Sequence, residues 1–216
     1  MWHWDYTFEI FPQLFNALGM TLFATLPAML LAMLLGLLWT LLRHARIRGC
    51  TFLIEFVLEF IRGTPLLLQL YFFYYVLPDF GLMLPALLTG ILALGLYYSA
   101  YLAEVYRAAI SAIAQGQWDA ARALNFSPWQ TWRFIILPQA LPPLIPVFAN
   151  YWIAMFKDTP LLAAITVLEL LQTAKLIGAE TFRYLEPLTL VGVLFLAVSL
   201  GASAIARGLE KRYGRI

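Results

Sequence analysis

The chain has 216 residues, of which 62% are hydrophobic and 12% are charged, with a mean hydropathy of +0.80. A soluble domain carries about 25% charged residues, so this chain has too little polar surface to cover a core in water. A net charge of +2 without a long basic run gives no indication of nucleic acid, and the single cysteine, Cys50, excludes an internal disulfide.

Five apolar stretches are long enough to cross a bilayer as helices, because a hydrocarbon core takes about 20 helical residues. They cover residues 17–42, 52–77, 85–110, 137–156 and 188–206. Lys and Arg are absent from residues 1–42, so the first stretch lacks the basic region of a cleaved signal and is expected to remain as a span. The predicted fold class is an all-α integral membrane protein with about five transmembrane helices in a single domain, residues 1–216.

Basic residues near the ends of the spans predict the orientation of the chain. One side holds nine Lys and Arg, namely Arg43, Arg46, Arg48, Arg122, Arg133, Arg207, Lys211, Arg212 and Arg215. The other side holds three, namely Lys157, Lys175 and Arg183. We therefore expect the N-terminus outside and the C-terminus in the cytoplasm.

The loop at about 111–136, between the third and fourth spans, carries the most informative local signals. Residues 117–124 favour a helix, with Asp119 near its N-terminal end. Asn125 can take a left-handed conformation that ends this helix. Ser127-Pro128 provides a cap and a first-turn proline for a second short helix. A compact helix–turn–helix on the cytoplasmic face is predicted.

This loop resembles the signature loop of ABC importer permeases, which reads Glu-Ala-Ala, three residues, Gly, nine residues, Ile and then Leu-Pro. Asp119 stands at the Glu position, Asn125 at the Gly position and Ile135 at the Ile position. In that family the loop docks in a groove of the cytoplasmic ATPase and transmits its closure to the membrane helices. The resemblance assigns this coupling role to Gly116, Asp119, Ala120, Ala121, Leu124, Asn125, Leu137 and Pro138.

Three other segments, 59–69, 99–107 and 157–161, resemble the polar amino-acid subfamily of these permeases, although Pro160 stands where a serine is common. Within that subfamily, residues 97–101, 123–125 and 165–188 are most similar to permeases for ectoine and hydroxyectoine. The resemblance implies a type I ABC importer permease in the bacterial inner membrane that translocates a small zwitterion, ectoine or hydroxyectoine. A polar amino acid is the alternative solute, and a secondary carrier the alternative mechanism.

The same resemblance implies the partners. They are a second permease, identical or homologous, two ATP-binding cassette subunits, a soluble solute-binding protein and the surrounding lipid. ATP and Mg²⁺ are expected on the ATPase and no cofactor on this chain, which has no G-x-x-x-x-G-K-[ST] segment. Neither catalytic residues nor metal ligands are predicted, since His3 and His44 lack metal-ligand spacing.

Charged side chains inside a span are costly and are therefore candidates for function. Glu104 and Arg107 share a face of the third span, and Glu59 and Arg62 repeat this spacing on the second. Proline disfavours helical geometry in the preceding residue, so a break is expected at 63–65. The candidate structural or gating residues are Glu59, Arg62, Gly63 and Pro65. The alternative is that both charge pairs are purely structural.

Asp158 follows the fourth span and precedes Thr159-Pro160, a second expected break. A carboxylate there can meet the ammonium of an amino acid or the amidinium of ectoine, while Arg107 can meet the carboxylate of either solute. The candidate solute-binding residues are Glu104, Arg107, Asp158 and Thr159. The alternative is that Lys157 and Asp158 are interfacial charges.

Overall fold

The computed structural model describes residues 2–44 and 48–213, and these are almost entirely helical, without a strand. Arg46 and Arg215, two of the cations used to predict orientation, lie outside the described residues. The α-helices are α1 (Trp4–His44), α2 (Arg48–Gly63), α3 (Leu66–Tyr71), α4 (Ala86–Ser111), α5 (Gln115–Ala123), α6 (Pro128–Gln130), α7 (Leu137–Asp158), α8 (Leu170–Thr181) and α9 (Leu185–Tyr213). Four short helical turns fill three of the connections, with π geometry at Phe72–Val76 and Thr131–Ile136 and 3₁₀ geometry at Leu77–Phe80 and Thr159–Ile165.

Within the described ranges, four segments are long and apolar enough to cross a membrane, which confirms an all-helical membrane protein. They are Trp4–His44, Ala86–Ser111, Pro128–Ile165 and Leu185–Tyr213. The third predicted span corresponds closely to α4. The fourth and fifth predicted spans correspond to α7 and α9, and these helices extend beyond the predicted bounds. The orientation of the bundle stays a prediction.

The first helix begins at Trp4 rather than at the predicted residue 17. Its 41 residues give α1 a length of about 60 Å, twice the thickness of a hydrocarbon core. The added turns are stabilised by packing, because Ile10 and Leu14 are buried against Leu170 and Ile177 of α8. Tertiary contacts that are distant in sequence therefore extend this helix.

The predicted second span, residues 52–77, is not one continuous helix. It is interrupted after Gly63, where Pro65 takes an extended conformation (φ −60°, ψ 137°) before α3 begins. The break expected at this site is therefore confirmed. Gln69 bridges the break, because its Nε2 donates to the Ile61 carbonyl oxygen and to the Thr64 hydroxyl, both at 2.8 Å. A side-chain amide thus replaces hydrogen bonds that the interrupted backbone cannot make.

The first and third spans, α1 and α4, pack against each other at very short range. At Gly36 of α1, an added Cβ would lie 2.9 Å from the Leu102 Cβ and 3.1 Å from the Ser99 carbonyl oxygen of α4. Two hydrogen bonds join the same faces, from Trp39 Nε1 to Ser99 Oγ and from Thr40 Oγ1 to the Ala103 carbonyl oxygen, both at 3.1 Å. The absence of a side chain at Gly36 allows this approach.

Replacing Gly36 by alanine should therefore destabilise the protein by about 1–3 kcal/mol, because overpacking would force the two helices apart. The matched control is Gly19→Ala on the same helix, where an added Cβ meets nothing within 4 Å. That variant should be neutral or gain up to about 1 kcal/mol from its higher helix propensity. Thermal unfolding of both variants in detergent measures the difference. Equal stability would show that the α1–α4 contact is looser than described.

Candidate functional site

The first helix of the 111–136 loop is α5, and it ends as its sequence predicts. Asn125 has a positive φ of 56°. The N–H of Phe126 donates to the Ala121 carbonyl oxygen and the N–H of Asn125 to the Arg122 carbonyl oxygen, both at 3.0 Å. This pair of bonds is the Schellman motif, in which a left-handed residue closes the helix end. Asparagine therefore performs the turn that glycine makes in the signature loop.

The second half of the loop begins with the predicted cap. Gln130 N–H donates to Ser127 Oγ at 3.3 Å, and Ser127 N–H donates to Gln130 Oε1 at 2.8 Å. This reciprocal capping box has Pro128 in the first helical turn. The helical path then continues through the π turn Thr131–Ile136 into α7. The second helix is therefore continuous with the fourth span instead of being a separate piece of the loop.

One face of α5 packs on the protein and the other is open. Ala121 is 2% exposed and holds the helix in place. Gly116, Asp119 and Ala120 lie on the exposed side, and Leu124 is 68% exposed. Asn125 and Pro138 are also exposed, and Leu137 is half-buried. Small side chains beside one exposed leucine form a protrusion that can enter a groove of another protein.

Aromatic contacts join this protrusion to the ends of two spans. The Trp118 and Trp132 rings meet edge to face at 5.6 Å, and Trp132 meets the His44 ring at 5.5 Å. Gln139 Nε2 on α7 donates to Gln117 Oε1 on α5 at 3.3 Å. These contacts connect α5 to the end of α1 and to the start of α7. Sequence reasoning assigned no role to His44, whose partner is distant in the chain.

The left-handed turn at Asn125 should tolerate glycine and resist a β-branched residue. Asn125→Val would strain the turn by about 1–2 kcal/mol, whereas Asn125→Gly relieves any such cost. The strained loop should open more often, so trypsin should cleave after Arg122 about tenfold faster in the valine variant than in the glycine variant. Arg122 is an exposed cleavage site, 76% accessible. Identical cleavage rates in the two variants would refute this role for the turn.

Glu104 on α4 lies at the centre of a cluster of arginines. Its Oε1 is 2.6 Å from Arg43 Nη1 and 3.4 Å from Arg62 Nη1, and its Oε2 is 2.6 Å from Arg107 Nε. The predicted pairing of Glu104 with Arg107 is present. Arg62 pairs with Glu104 and not with Glu59, which is exposed. The carboxylate therefore joins α1, α2 and α4, and Arg43 is a member that sequence reasoning did not select.

Asp158, the last residue of α7, lies in a group of tyrosines. The Tyr98 hydroxyl donates to Asp158 Oδ2 at 2.7 Å. The Tyr97 and Tyr101 hydroxyls are 3.0 Å apart, and the Tyr151 ring lies 6.3 Å from that of Tyr98. The spacing of 97, 98 and 101 places these rings on neighbouring positions of α4. That spacing was the available signal, but nothing in it identified α7 as the facing helix.

The candidate solute-binding residues fall in two places. Arg107 is nine residues beyond Tyr98 on the same helix, about 13 Å along its axis. The structure thus brings Glu104 to Arg107 and Asp158 to Tyr98, but it does not bring Arg107 to Asp158. Thr159 is buried, and its hydroxyl donates to the Phe156 carbonyl oxygen at 2.7 Å. Across the described residues, no group of three or more His, Cys, Asp or Glu side chains is arranged to hold a metal ion.

A further carboxylate, Glu169, belongs to the connection between the fourth and fifth spans and is fully buried. It caps α8, with Oε2 accepting from the Leu171 N–H at 2.9 Å and Oε1 from the Gln172 N–H at 2.7 Å. Burial raises the pKa of Glu169, and the two backbone N–H groups oppose that change. Its hydrogen bonds are those of a helix cap, and they assign it a structural role.

Removing the central carboxylate should separate the three helices that it joins. In Glu104→Gln, the three arginines would lose the anion that they share, and among the described residues only Arg43 would keep a carboxylate partner, Glu55, at a cost of about 1–3 kcal/mol, between the values for exposed and buried ion pairs. The matched control is Glu59→Gln, because Glu59 is an exposed carboxylate on the neighbouring helix α2. Thermal unfolding should show a large loss for the first variant and almost none for the second. If both variants unfold at the same temperature, the ion pairs of Glu104 do not contribute to the stability of the fold.

An apolar helical bundle with an exposed helical protrusion between two spans is typical of a membrane-embedded transport subunit. The chain belongs to the family described as the binding-protein-dependent transport system inner membrane component, whose model matches residues 16–215. It is thus a multi-pass protein of the inner membrane.

Two relatives are similar over almost the whole chain. The probable amino-acid ABC transporter permease protein y4tG of Sinorhizobium fredii is 45% identical over 94% of this chain and 87% of its own length. The probable amino-acid ABC transporter permease protein YckA of Bacillus subtilis is 35% identical over 97% of this chain and 96% of its own. The glutamine transport system permease protein GlnP of Escherichia coli is 38% identical over 72% of each chain.

Solved structures agree with this membership. A crystal structure of an amino acid ABC transporter with histidines contains a chain that superposes with a TM-score of 0.93 at 32% identity, covering 98% of this chain and 99% of that one. An inward-facing structure of the MetNI methionine ABC transporter superposes with a TM-score of 0.65 at 19% identity, covering 96% and 99%. The second likeness concerns the fold alone.

Proposed function

We propose that the chain, as one permease domain over residues 1–216, is the membrane subunit of an ATP-driven importer for a small zwitterionic solute of the amino-acid class. The observation that carries this proposal is the α5 protrusion, which is closed by its own hydrogen bonds, is open on one face and is joined to two spans. Family membership and the named functions of the relatives support it.

The partners follow from this role. Two ATP-binding cassette subunits, which carry ATP and Mg²⁺, dock on α5 of this chain and of a second, identical or homologous permease. A soluble solute-binding protein delivers the solute from outside. Closure of the ATPases displaces α5, and the contacts of Trp132 with Trp118 and His44 transmit this movement to α1. No catalytic residue is assigned to this chain.

Asp158 and Tyr98 are the proposed contacts for the solute's cationic group. A carboxylate near the end of a helix, hydrogen-bonded to a tyrosine whose ring contacts three further tyrosines, offers both charge attraction and cation–π attraction. Thr159 lies at the same helix end. The prediction that Glu104 and Arg107 meet the solute requires that it also reach the α5 side of the bundle, where these residues now pair with each other.

A polar amino acid is the first candidate solute, because the relatives are named for amino acids and glutamine. Ectoine or hydroxyectoine is the second candidate. The specific observation in its favour is the tyrosine group around Asp158, since aromatic rings attract the delocalised charge of an amidinium. A secondary carrier would not need the open face of α5.

Docking on α5 can be tested by ATP hydrolysis in proteoliposomes that contain the complete importer. Ala120→Glu puts an unpaired charge into the proposed interface and should lower solute-stimulated hydrolysis at least about tenfold. Ala112→Glu is the matched control, because this exposed alanine precedes α5 and lies outside it. Equal solute-stimulated hydrolysis in both variants would exclude α5 as the docking surface, and no stimulation even in the unmodified importer would favour a carrier that works without an ATPase.

The solute contact can be tested in the same assay with glutamine, other polar amino acids and ectoine. Asp158→Asn should raise the half-saturating solute concentration about tenfold or more, through loss of a charge-assisted hydrogen bond. Asp79→Asn makes the same chemical change at an exposed residue and should leave it unchanged. Stimulation by ectoine alone would select ectoine, and stimulation by amino acids alone would exclude it. An unchanged half-saturating concentration in Asp158→Asn would remove Asp158 from the site.

A further inference from the structure

A cavity of about 270 Å³ with a mixed polar and apolar lining opens between α1, α2 and α4, beside the arginine cluster of Glu104. Arg43, Glu55, Arg107 and Ser111 are among the residues that line it. His44, which also lines it, contacts Trp132, so the cavity opens on the side of the bundle that carries α5. It lies well away from the Asp158 tyrosines, about 13 Å along α4.

The charges around this cavity do not balance. Among the described residues, Arg43, Arg107 and Glu55 line the cavity, and the ion-pair cluster that they form with Arg62 and Glu104 has three cations against two carboxylates, which leaves one net positive charge. Such an excess at the end of an apolar bundle is costly unless water or an anion compensates it.

The donors of Arg107 indicate which anion fits. Its Nε is bonded to Glu104 at 2.6 Å, whereas its two terminal nitrogens have no partner within the described residues. Its side chain is 55% exposed and lines the cavity. Arg43, by contrast, uses both terminal nitrogens, one on Glu104 and one on Glu55. The free edge of a guanidinium presents parallel N–H groups, which match two oxygens of a phosphate group.

We propose that this cavity binds a phosphate group, with Arg107 as its principal ligand and the Ser111 hydroxyl beside it. The phosphate can belong to an anionic phospholipid of the adjacent leaflet or to free inorganic phosphate. Basic pockets between transmembrane helices on the cytoplasmic side are typical sites for anionic headgroups. The assignment of this side to the cytoplasm rests on the proposed function. A bound phosphate would hold the ends of α1 and α4 together beside the Trp132 contact.

The test is native mass spectrometry of the full chain in a neutral detergent, with phosphatidylglycerol, phosphatidylcholine or inorganic phosphate added. Arg107→Gln should weaken phosphatidylglycerol binding about fivefold, the effect of one arginine at an anionic surface. Arg107→Lys keeps the positive charge without the planar guanidinium, and its binding of phosphatidylglycerol should be weakened less than that of Arg107→Gln. Arg212→Gln is the matched control, an exposed arginine in the last turn of α9, and should change binding less than about twofold.

Each outcome is informative. If Arg107→Gln loses only the binding of phosphatidylglycerol, the ligand is a lipid headgroup. If it loses only the binding of inorganic phosphate, the ligand is a soluble anion. Equal binding of all variants, or equal affinity for phosphatidylcholine and phosphatidylglycerol, overturns the site. Unchanged binding of every phosphate compound in Arg107→Gln, together with a raised half-saturating solute concentration of this variant in the separate ATP hydrolysis assay, overturns the site in favour of a solute contact. The mass spectrometry assay contains neither solute nor ATPase, so a negative result there does not contradict the importer function. A negative result in the ATP hydrolysis assay likewise does not contradict the phosphate site.

Discussion

The carboxylate of Glu104 is the interaction on which the α5 side of the bundle depends. Arginines from α1, α2 and α4 converge on it, so one anion pairs with cations on three elements of an otherwise apolar bundle. Uncompensated charges in such surroundings would force the helix ends apart. Because His44 follows Arg43 directly and contacts Trp132, the position of this cluster also fixes the aromatic support of α5. The protrusion and the charge cluster are therefore connected through adjacent residues at the end of α1.

Breaks in the helical path occur where function is proposed. The second span is interrupted at Pro65, and α7 changes to 3₁₀ geometry directly after Asp158. Interrupted helices expose backbone groups and provide hinges, and transporters place both near their solute. Gln69 limits the cost of the first break by bonding the Ile61 carbonyl. The bundle thus combines a close α1–α4 contact with two changes of helix geometry, an interruption at Pro65 and a tightening to 3₁₀ after Asp158.

Features encoded by neighbouring residues could be predicted from the sequence. The left-handed Asn125, the Ser127 cap and the break before Pro65 each depend on local backbone chemistry, and each is present. Pairings across helices could not be predicted, because periodicity gives the face of a residue but not its partner. Arg62 therefore bonds Glu104 instead of its neighbour on the same helix, and Tyr98 was not connected to Asp158. The N-terminal extension of α1 likewise depends on packing against α8.

The turn at Asn125 is flanked on both sides by hydrogen bonds between residues of the segment 115–131. A Schellman motif fixes one side of Asn125 and a capping box fixes the other. The shape of the protrusion is thus preorganised, and a groove that receives it does not have to order a flexible chain. In the docking that we propose, little binding free energy is therefore lost to conformational entropy, so more of it remains to move the helices that the protrusion contacts.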